Sequence, residues 1–402
     1  MMKKHIVSLL FLMLLLAACG SEETVQQNQD QGEPDSEVGT VPVEEQEEMV
    51  TSSDEAEHYR TVIPYELSPS RGLTSSNMVS NYNIEAFEKG LFELSKGPFS
   101  PDEYVFREGQ VFTEEMIRGY LGRSYTMEEI EAMSEEEKAQ NNAFSNLGLN
   151  PSVEGETDPE VIAQEAPLYL SHILEQNYMV QAEDEEALEF GGMTIGLAMN
   201  SEYQYQKEQY GPTFTRELDT EKVRQEGEQM AEEILERIRA NEDYKDMKIV
   251  FGIFIQSTDT AITPGNFVST AVVEGGEDQI SNFQQVNENY VLLPSSDASA
   301  ISEEINSEYQ NFNRKLESYF DSFTTSIGHG YFVDGALERL TIEIPLEYSS
   351  RGEVIGLTQY VRSLVAEHFR NTEVEVSIED KNQSYALITK DKEENISVHI
   401  YE

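Results

Sequence analysis

Residues 193–199 read Met-Thr-Ile-Gly-Leu-Ala-Met, an apolar run with the length and composition of a buried β-strand. Residues 220–240 follow with an amphipathic helical pattern, whose apolar positions are Val223, Met230, Ile234, Leu235 and Ile238. Two more strand-like segments come next, at 248–255 and 266–273. The order strand, helix, strand, strand predicts a unit built on a mixed sheet.

The same order recurs near the carboxyl end of the chain. Residues 340–346 read Leu-Thr-Ile-Glu-Ile-Pro-Leu, a helical pattern covers about 354–370, and strand patterns cover 373–378 and the residues from 386 onwards. We therefore predict a weak internal repeat, with copies at about 193–273 and 340–402. Each copy is too small to bury a sizeable core alone, so we expect the two to pack together.

A long helix is predicted to join the two copies, because apolar side chains recur every three or four positions between them. Their positions are Ile301, Ile305, Tyr309, Phe312, Leu316, Tyr319, Phe323 and Ile327. Residues 181–402 thus form an α/β part of the body. The predicted fold class is α+β (or α/β), with a helical amino-terminal part followed by two similar halves with mixed sheets.

The helical part is assigned to residues 58–180. Ile84, Phe87, Leu91 and Leu94 lie on one face of a predicted helix. Three further helix starts are indicated by residue pairs typical of helix caps: Thr126 with Glu129, Ser134 with Glu137, and Asp158 with Pro159.

The first eighteen residues have the order of a signal peptide. Lys3 and Lys4 give it a positive start, and residues 6–16 are almost entirely apolar. A membrane-spanning helix needs about 20 apolar residues, so we expect this shorter run to be removed. Its end, Leu16-Ala17-Ala18-Cys19-Gly20, is similar to a bacterial lipobox and predicts cleavage between Ala18 and Cys19.

Cys19 is the only cysteine of the chain. Its thiol can take a diacylglyceryl group as a thioether, and two acyl chains suffice for stable anchoring. We expect prolipoprotein processing enzymes to mature the chain and the lipid to hold it to the outer face of the cytoplasmic membrane. The alternative is an ordinary buried cysteine beside a secretory cleavage site. An internal disulfide and a cysteine-based metal site are excluded in either case.

The chain is strongly acidic, with 77 Asp or Glu, 27 Lys or Arg and a formal net charge of −50. This charge disfavours nucleic acids and anionic lipid surfaces as partners. Residues 19–57 contain thirteen acidic residues and no Lys or Arg, among scattered Gln, Ser, Gly and Pro. Because such a segment cannot bury enough apolar surface to fold, it is predicted to be a disordered tether.

The sequence contains no Gly-x-Ser-x-Gly elbow, no phosphate-binding P-loop and no His-Glu-x-x-His zinc helix. The six histidines lack the spacing of metal ligands: His5, His58, His172, His329, His368 and His399. We therefore predict no catalytic residue, metal or cofactor, and a body that binds an unidentified ligand or has a structural role. The alternative is a wall-associated hydrolase or carbohydrate-binding enzyme with an unrecognised carboxylate pair, which two raised-pKa acids in a cleft beside exposed tyrosines would favour.

Several collinear strings resemble the CamS-type sex-pheromone lipoprotein family of Gram-positive bacteria. They include Asn-Leu-Gly-Leu-Asn-Pro-Ser at 146–152, Gly-Met-Thr-Ile-Gly-Leu-Ala-Met-Asn-Ser at 192–201, Gly-Pro-Thr-Phe at 211–214 and Gly-Leu-Thr-Gln-Tyr-Val at 356–361. The resemblance runs from the lipobox to residue 401 and leaves out only the acidic tether.

The resemblance implies a role for the discarded signal peptide. In similar precursors, the seven residues before the lipid-bearing cysteine are released as a mating pheromone. The corresponding peptide is Leu12, Met13, Leu14, Leu15, Leu16, Ala17 and Ala18. The alternative is a plain signal core that is degraded after cleavage, and the resemblance leaves the role of the mature body open.

Overall fold

The computed structural model describes residues 48–49 and 58–402, apart from 141–142, 144, 182–186, 320–324 and 347–349. The strands within these residues are, in chain order, β1 (Glu48–Met49), β2 (Arg60–Ile63), β3 (Tyr104–Glu108), β4 (Leu170–Gln181), β5 (Leu188–Met199), β6 (Glu202–Gln206), β7 (Thr213–Glu217), β8 (Lys248–Ile255), β9 (Asn266–Val273), β10 (Gln284–Gln285), β11 (Glu288–Leu293), β12 (Ile327–Val333), β13 (Ala336–Pro345), β14 (Glu373–Glu379), β15 (Ser384–Lys390) and β16 (Ile396–Ile400).

The helices of the same residues alternate with these strands. They are α1 (Arg71–Asn77), α2 (Asn81–Lys96), α3 (Glu114–Leu121), α4 (Met127–Ala132), α5 (Glu135–Gln140), α6 (Pro159–Glu165), α7 (Thr220–Arg239), α8 (Ser296–Ile301), α9 (Glu303–Glu317) and α10 (Arg351–His368), with a 3₁₀ turn at Glu242–Tyr244. The α+β class predicted from the sequence is confirmed.

Two large sheets share one arrangement of six neighbouring strands, which runs from β3 to β10 in the first sheet and from β11 to β16 in the second. The first sheet has the order β1-β2-β3-β4-β5-β8-β9-β10, and the second has the order β11-β12-β13-β14-β15-β16. In each six-strand run the third and fourth strands are parallel and are joined by a helix, α7 in the first sheet and α10 in the second. The other neighbours in both runs are antiparallel. Both runs thus contain the order strand, helix, strand, strand, and each run has further strands outside the residues of the predicted copies.

Helices cover both faces of the first sheet, which explains the unbroken apolar run of β5. The side chains of Met193, Ile195 and Leu197 belong to the same buried cluster as the predicted apolar stripe of α7. On the opposite face, the backbone at Gly196 lies so close to α2 that an added Cβ would sit 2.7 Å from the Phe87 ring. A larger residue at position 196 would therefore push α2 away from the sheet.

The second sheet has helices on one face. Val374, Val376 and Ile378 of β14 are buried with apolar residues of α9 and α10, whereas Glu373 and Glu375 are exposed. This alternation is the signature of a sheet with one covered and one solvated face.

The helix that joins the two copies is shorter than predicted. It consists of α8 and α9, which are separated at Ser302, and it ends at Glu317. The Ser302 hydroxyl accepts a hydrogen bond from the Ile305 amide, so Ser302 begins a new helix instead of continuing the first. Ile327 is the first residue of β12, and Phe323 lies outside the described residues.

The part predicted as helical, residues 58–180, contains the three predicted helix starts but also three strands. Thr126 and Glu129 form a complete capping box, and Asp158 caps α6 ahead of Pro159. However, β2, β3 and most of β4 lie in this part and belong to the same sheet as β5. The two parts therefore share one sheet. Strand β1 falls within residues 19–57, the segment predicted as the tether, and pairs with β2.

None of the helices in the described part of the chain has the length and apolar character needed to cross a bilayer.

Candidate binding cleft

A cleft of about 140 Å³ opens where α1 and α2 lie over β3 and β4. Five separate segments contribute to it, namely the loop after β2, the two helices, and the two strands. Its lining residues are Tyr65, Ser68, Arg71, Thr74, Glu88, Phe92, Phe106, Glu108, Leu174, Glu175 and Gln176. The cleft therefore combines an aromatic and aliphatic wall with one guanidinium and three carboxylates.

The first carboxylate, Glu108, is neutralised by its neighbours. It forms an ion pair with the guanidinium of Arg71. It also accepts hydrogen bonds from the Tyr65 hydroxyl and from the Ser68 amide, both at 2.7 Å. These contacts fix the loop after β2 against the end of β3. The charge of Glu108 compensates the positive charge of Arg71 within the cleft.

The second carboxylate, Glu175, is buried and fully held by hydrogen bonds. Its oxygens accept from the backbone amides of Val111, at 3.0 Å, and Phe112, at 2.7 Å, and from the side-chain amide of Asn177, at 2.6 Å. Burial raises the pKa of Glu175, and these hydrogen bonds act in the opposite direction. Its geometry is that of a structural anchor, because it binds the turn before α3 to the centre of the sheet.

The third carboxylate, Glu88, is different. Its side chain is half-buried on α2, and it accepts no hydrogen bond from any residue that the structure describes. Burial raises the pKa of Glu88, Arg71 lowers it, and the charge of Glu108 raises it further. Glu88 is thus the acceptor of the cleft that is available to a ligand.

A buried histidine positions α1 beside the cleft. His172 of β4 contacts the Thr74 hydroxyl through Nε2, at 3.0 Å, and the side-chain amide of Asn77 through Nδ1, at 3.5 Å. Because the Asn77 amide donates to Nδ1, the proton of the neutral ring lies on Nε2 and points to Thr74. Burial lowers the pKa of His172 to about 4, so the ring is neutral near pH 7.

The residues predicted from the sequence as sites lie elsewhere. Cys19, the cleavage site at Ala18, and the peptide from Leu12 to Ala18 fall outside the described residues. Within the described part, no three His, Cys, Asp or Glu side chains are grouped so that they could hold a metal ion. Of the histidines, His58 and His399 are exposed, and His368 contacts Glu308 at 2.7 Å.

The cleft was not predicted from the sequence. Its polar residues are spread over more than 100 positions of the sequence, from Tyr65 to Gln176, and the fold brings them together. The one available signal was the unusual density of polar residues in the strand that carries Glu175, Gln176 and Asn177.

Two solved structures resemble the chain over most of its length. The structure of the C-terminal domain of the sex pheromone staph-cAM373 precursor from Staphylococcus aureus is 43% identical, with a TM-score of 0.71, and the match covers 81% of this chain and 98% of that one. The sex pheromone precursor from Lactobacillus salivarius subsp. salivarius UCC118 is 28% identical, with a TM-score of 0.76, and the match covers 89% of this chain and 99% of that one. No curated protein matches the chain significantly.

A family model also matches most of the body. It is the model of the CamS sex pheromone cAM373 precursor, and it matches residues 65–395, which include the first six-strand run, the second run up to β15 and the whole cleft. The sequence strings, the fold and the match thus agree along the same residues, and the chain belongs to the CamS family of sex pheromone cAM373 precursors.

Proposed function

We propose that this CamS-family protein is an exported lipoprotein whose body binds a small ligand without catalysis and whose signal peptide is the source of a released heptapeptide. A lipid on Cys19 holds the body to the outer face of the cytoplasmic membrane. The support for this anchor is the order of a positive start, a short apolar run and Leu16-Ala17-Ala18-Cys19.

The anchor is tested by replacing Cys19 with Ser. A hydroxyl cannot replace the thiol in thioether formation, so cells fed radiolabelled palmitate should label the natural chain and leave the Cys19→Ser chain unlabelled. Ser21→Ala is the matched control, because it changes a nearby residue outside the lipobox. Palmitate labelling of Cys19→Ser would refute the anchor.

The released peptide is tested separately, because Leu12 to Ala18 lies upstream of Cys19 and cleavage puts it on another molecule. Mass spectrometry of culture supernatants should detect Leu-Met-Leu-Leu-Leu-Ala-Ala from cells that express the precursor. Leu14→Asp should abolish release because it disrupts the apolar core of the signal peptide. A conjugation assay with the synthetic peptide then measures pheromone activity.

The observation that supports ligand binding is the single unpaired acceptor in the cleft. Glu108 is neutralised and Glu175 is held by amides, while the Glu88 carboxylate has no donor among the described residues and adjoins Phe92 and Phe106. Sites for small molecules combine an apolar wall with a few polar groups in this way. A cavity of about 140 Å³ holds one side chain or head group, so the proposed ligand has a small apolar part and a cationic or donating head.

Thermal shift with paired probes tests this binding, since a ligand of the native state raises the melting temperature. Leucyl-alanine carries a free ammonium beside an apolar side chain, and its N-acetylated form is the matched probe without the charge. We expect the free dipeptide to stabilise the chain more than its acetylated form, and we expect Glu88→Gln to abolish the difference. Equal effects of both dipeptides on the natural chain would count against Glu88 as the acceptor.

A hydrolase is the second candidate, and one observation favours it. Glu88 and Glu175 both have raised pKa values and line the same cleft beside the exposed ring of Tyr65. Hydrolysis of a glycosidic bond needs two working carboxylates, however, and the oxygens of Glu175 are already occupied by backbone amides. Release of reducing ends from wall polysaccharide that is lost in Glu88→Gln would establish this candidate instead.

A further inference from the structure

The loop after β2 exposes a group of apolar side chains beside the cleft. Ile63, the last residue of β2, is 48% exposed, Tyr65 is 53% exposed and Leu67 is 60% exposed. A single exposed apolar residue needs no explanation, but a group of them within five positions indicates an interaction surface. We call these three residues the apolar ledge.

The apolar ledge is continuous with the cleft. Tyr65 belongs to both, because it lines the cleft and its hydroxyl donates to Glu108 at 2.7 Å. Leu67 precedes Ser68, which also lines the cleft, and the Leu67 carbonyl accepts a hydrogen bond from the Gln110 side chain at 3.4 Å. These contacts hold the loop in place, so a ligand that leaves the cleft past Tyr65 meets an apolar surface that is already formed.

The cleft by itself holds only one end of a ligand. Its volume of about 140 Å³ accommodates a single side chain or head group. The Glu88 carboxylate in it has no hydrogen-bond donor among the residues that the structure describes. A ligand with a cationic end and a longer apolar part therefore needs a second apolar surface, and the ledge provides one.

The backbone of the ledge favours a peptide as this ligand. Residues 64–67 belong to no strand, and the backbone amides of Tyr65, Glu66 and Leu67 donate to no residue within the described part of the chain. An extended peptide can pair its own backbone groups with such a segment, as it does when it is recognised by strand addition. An alkyl amine or a lipid tail has no backbone groups for this pairing.

Charge distinguishes a cationic end from the other possible occupants. The cleft contains three carboxylates and one guanidinium, so its charge attracts an ammonium group. The same charge repels the acidic residues 19–57 and the surface of an anionic bilayer.

We propose that the cleft and the apolar ledge together bind the amino-terminal part of an apolar peptide. The ammonium group of the peptide binds the Glu88 carboxylate. Its first side chain packs against Phe92 and Phe106, and its next residues lie along the ledge. The proposal rests on the ligand binding proposed for the cleft, and it adds the class of ligand and a second contact surface.

A peptide that contains Trp tests this proposal, because the chain has no Trp of its own. The probe is Leu-Trp-Leu-Leu-Leu-Ala-Ala, the sequence of residues 12–18 with Trp in place of the second residue. The full-length chain in detergent is added to the probe while Trp fluorescence is recorded, and micelles without the chain give the background from partition. The N-acetylated heptapeptide is the matched probe without the ammonium group.

We expect the free heptapeptide to bind about tenfold more tightly than leucyl-alanine, which fits the cleft but is too short to cover the ledge. Ile63→Ser and Leu67→Ser should each weaken heptapeptide binding about tenfold and leave leucyl-alanine binding unchanged. Glu88→Gln should remove the preference for the free over the N-acetylated heptapeptide. Ile327→Ser is the matched control, because Ile327 is 49% exposed and lies on β12 of the second sheet.

The outcomes separate this proposal from the function on which it rests. Leucyl-alanine binding without tighter binding of the heptapeptide would overturn the proposal and leave the function proposed for the cleft intact, whereas absence of binding by both ligands would overturn both. Unchanged heptapeptide binding in Ile63→Ser and Leu67→Ser, with an unchanged melting temperature, would remove the ledge from the site.

Two further results would replace the peptide by another occupant. Displacement of the probe by octylamine at the concentration at which the heptapeptide without Trp displaces it would assign a simple amine. Binding to phosphatidylcholine vesicles that is lost in Leu67→Ser would assign the ledge to a bilayer.

Discussion

At the scale of single residues, burial determines the protonation of His172. The unfolded chain binds a proton at this residue below pH 6.5, whereas the folded chain does so only near pH 4. The free energy of unfolding should therefore fall as the pH drops through this window, by about 3 kcal/mol in total. The loss is complete below pH 4 and absent near neutral pH.

Urea unfolding at pH 7 and pH 4 measures this contribution against the titration of the many carboxylates. In His172→Gln the difference in unfolding free energy between the two pH values should shrink, because the amide does not titrate. His58→Gln is the matched control at an exposed position. An unchanged pH difference in His172→Gln would mean that folding does not lower the pKa of His172.

At the scale of elements, the break between α8 and α9 depends on one hydroxyl. Ser302 has extended backbone angles and caps α9 by accepting from Ile305. Ser302→Ala removes this cap and should lower the free energy of unfolding by about 1 kcal/mol. Chemical denaturation at neutral pH gives the measurement.

The control for this prediction lies in the same helix. Ser307 is inside α9, where alanine is the better helix former, so Ser307→Ala should be neutral or slightly stabilising. Equal destabilisation by the two substitutions would show that the loss at Ser302 does not come from the cap.

Helices could be predicted from the sequence where apolar residues recur along one face. Helix α7 begins and ends within about one residue of the predicted 220–240, and the four apolar residues predicted to share one helix face all lie in α2. Strand β4 was missed, because His172, Glu175 and Asn177 are polar yet buried, and their partners come from distant segments. The cleft was missed for the same reason, since hydrogen bonds such as that from Phe112 to Glu175 join residues 63 positions apart.

At the scale of the whole molecule, negative charges far outnumber positive ones. The chain has 77 acidic and 27 basic residues, so most carboxylates have no basic partner. Many of the ion pairs are local, as between Arg224 and its helix neighbours Glu221 and Glu228. Exposed pairs of this kind contribute little to stability, so they leave the long-range repulsion between carboxylates in place.

Salt should therefore stabilise the folded chain, because it screens repulsion between carboxylates that the compact state brings together. The Debye length falls from about 30 Å at 0.01 M to about 8 Å at 0.15 M, so most of the rise in melting temperature should occur below about 0.3 M sodium chloride. Calorimetry across this range gives the measurement. A rise confined to molar salt would indicate a general effect of salt on apolar surface instead of screening.

The charge-reversed chain Glu131→Lys with Glu136→Lys, at two exposed positions of α4 and α5, should melt higher at low salt and respond less to added salt. If it melts lower, local contacts of these two carboxylates outweigh the field of the whole chain.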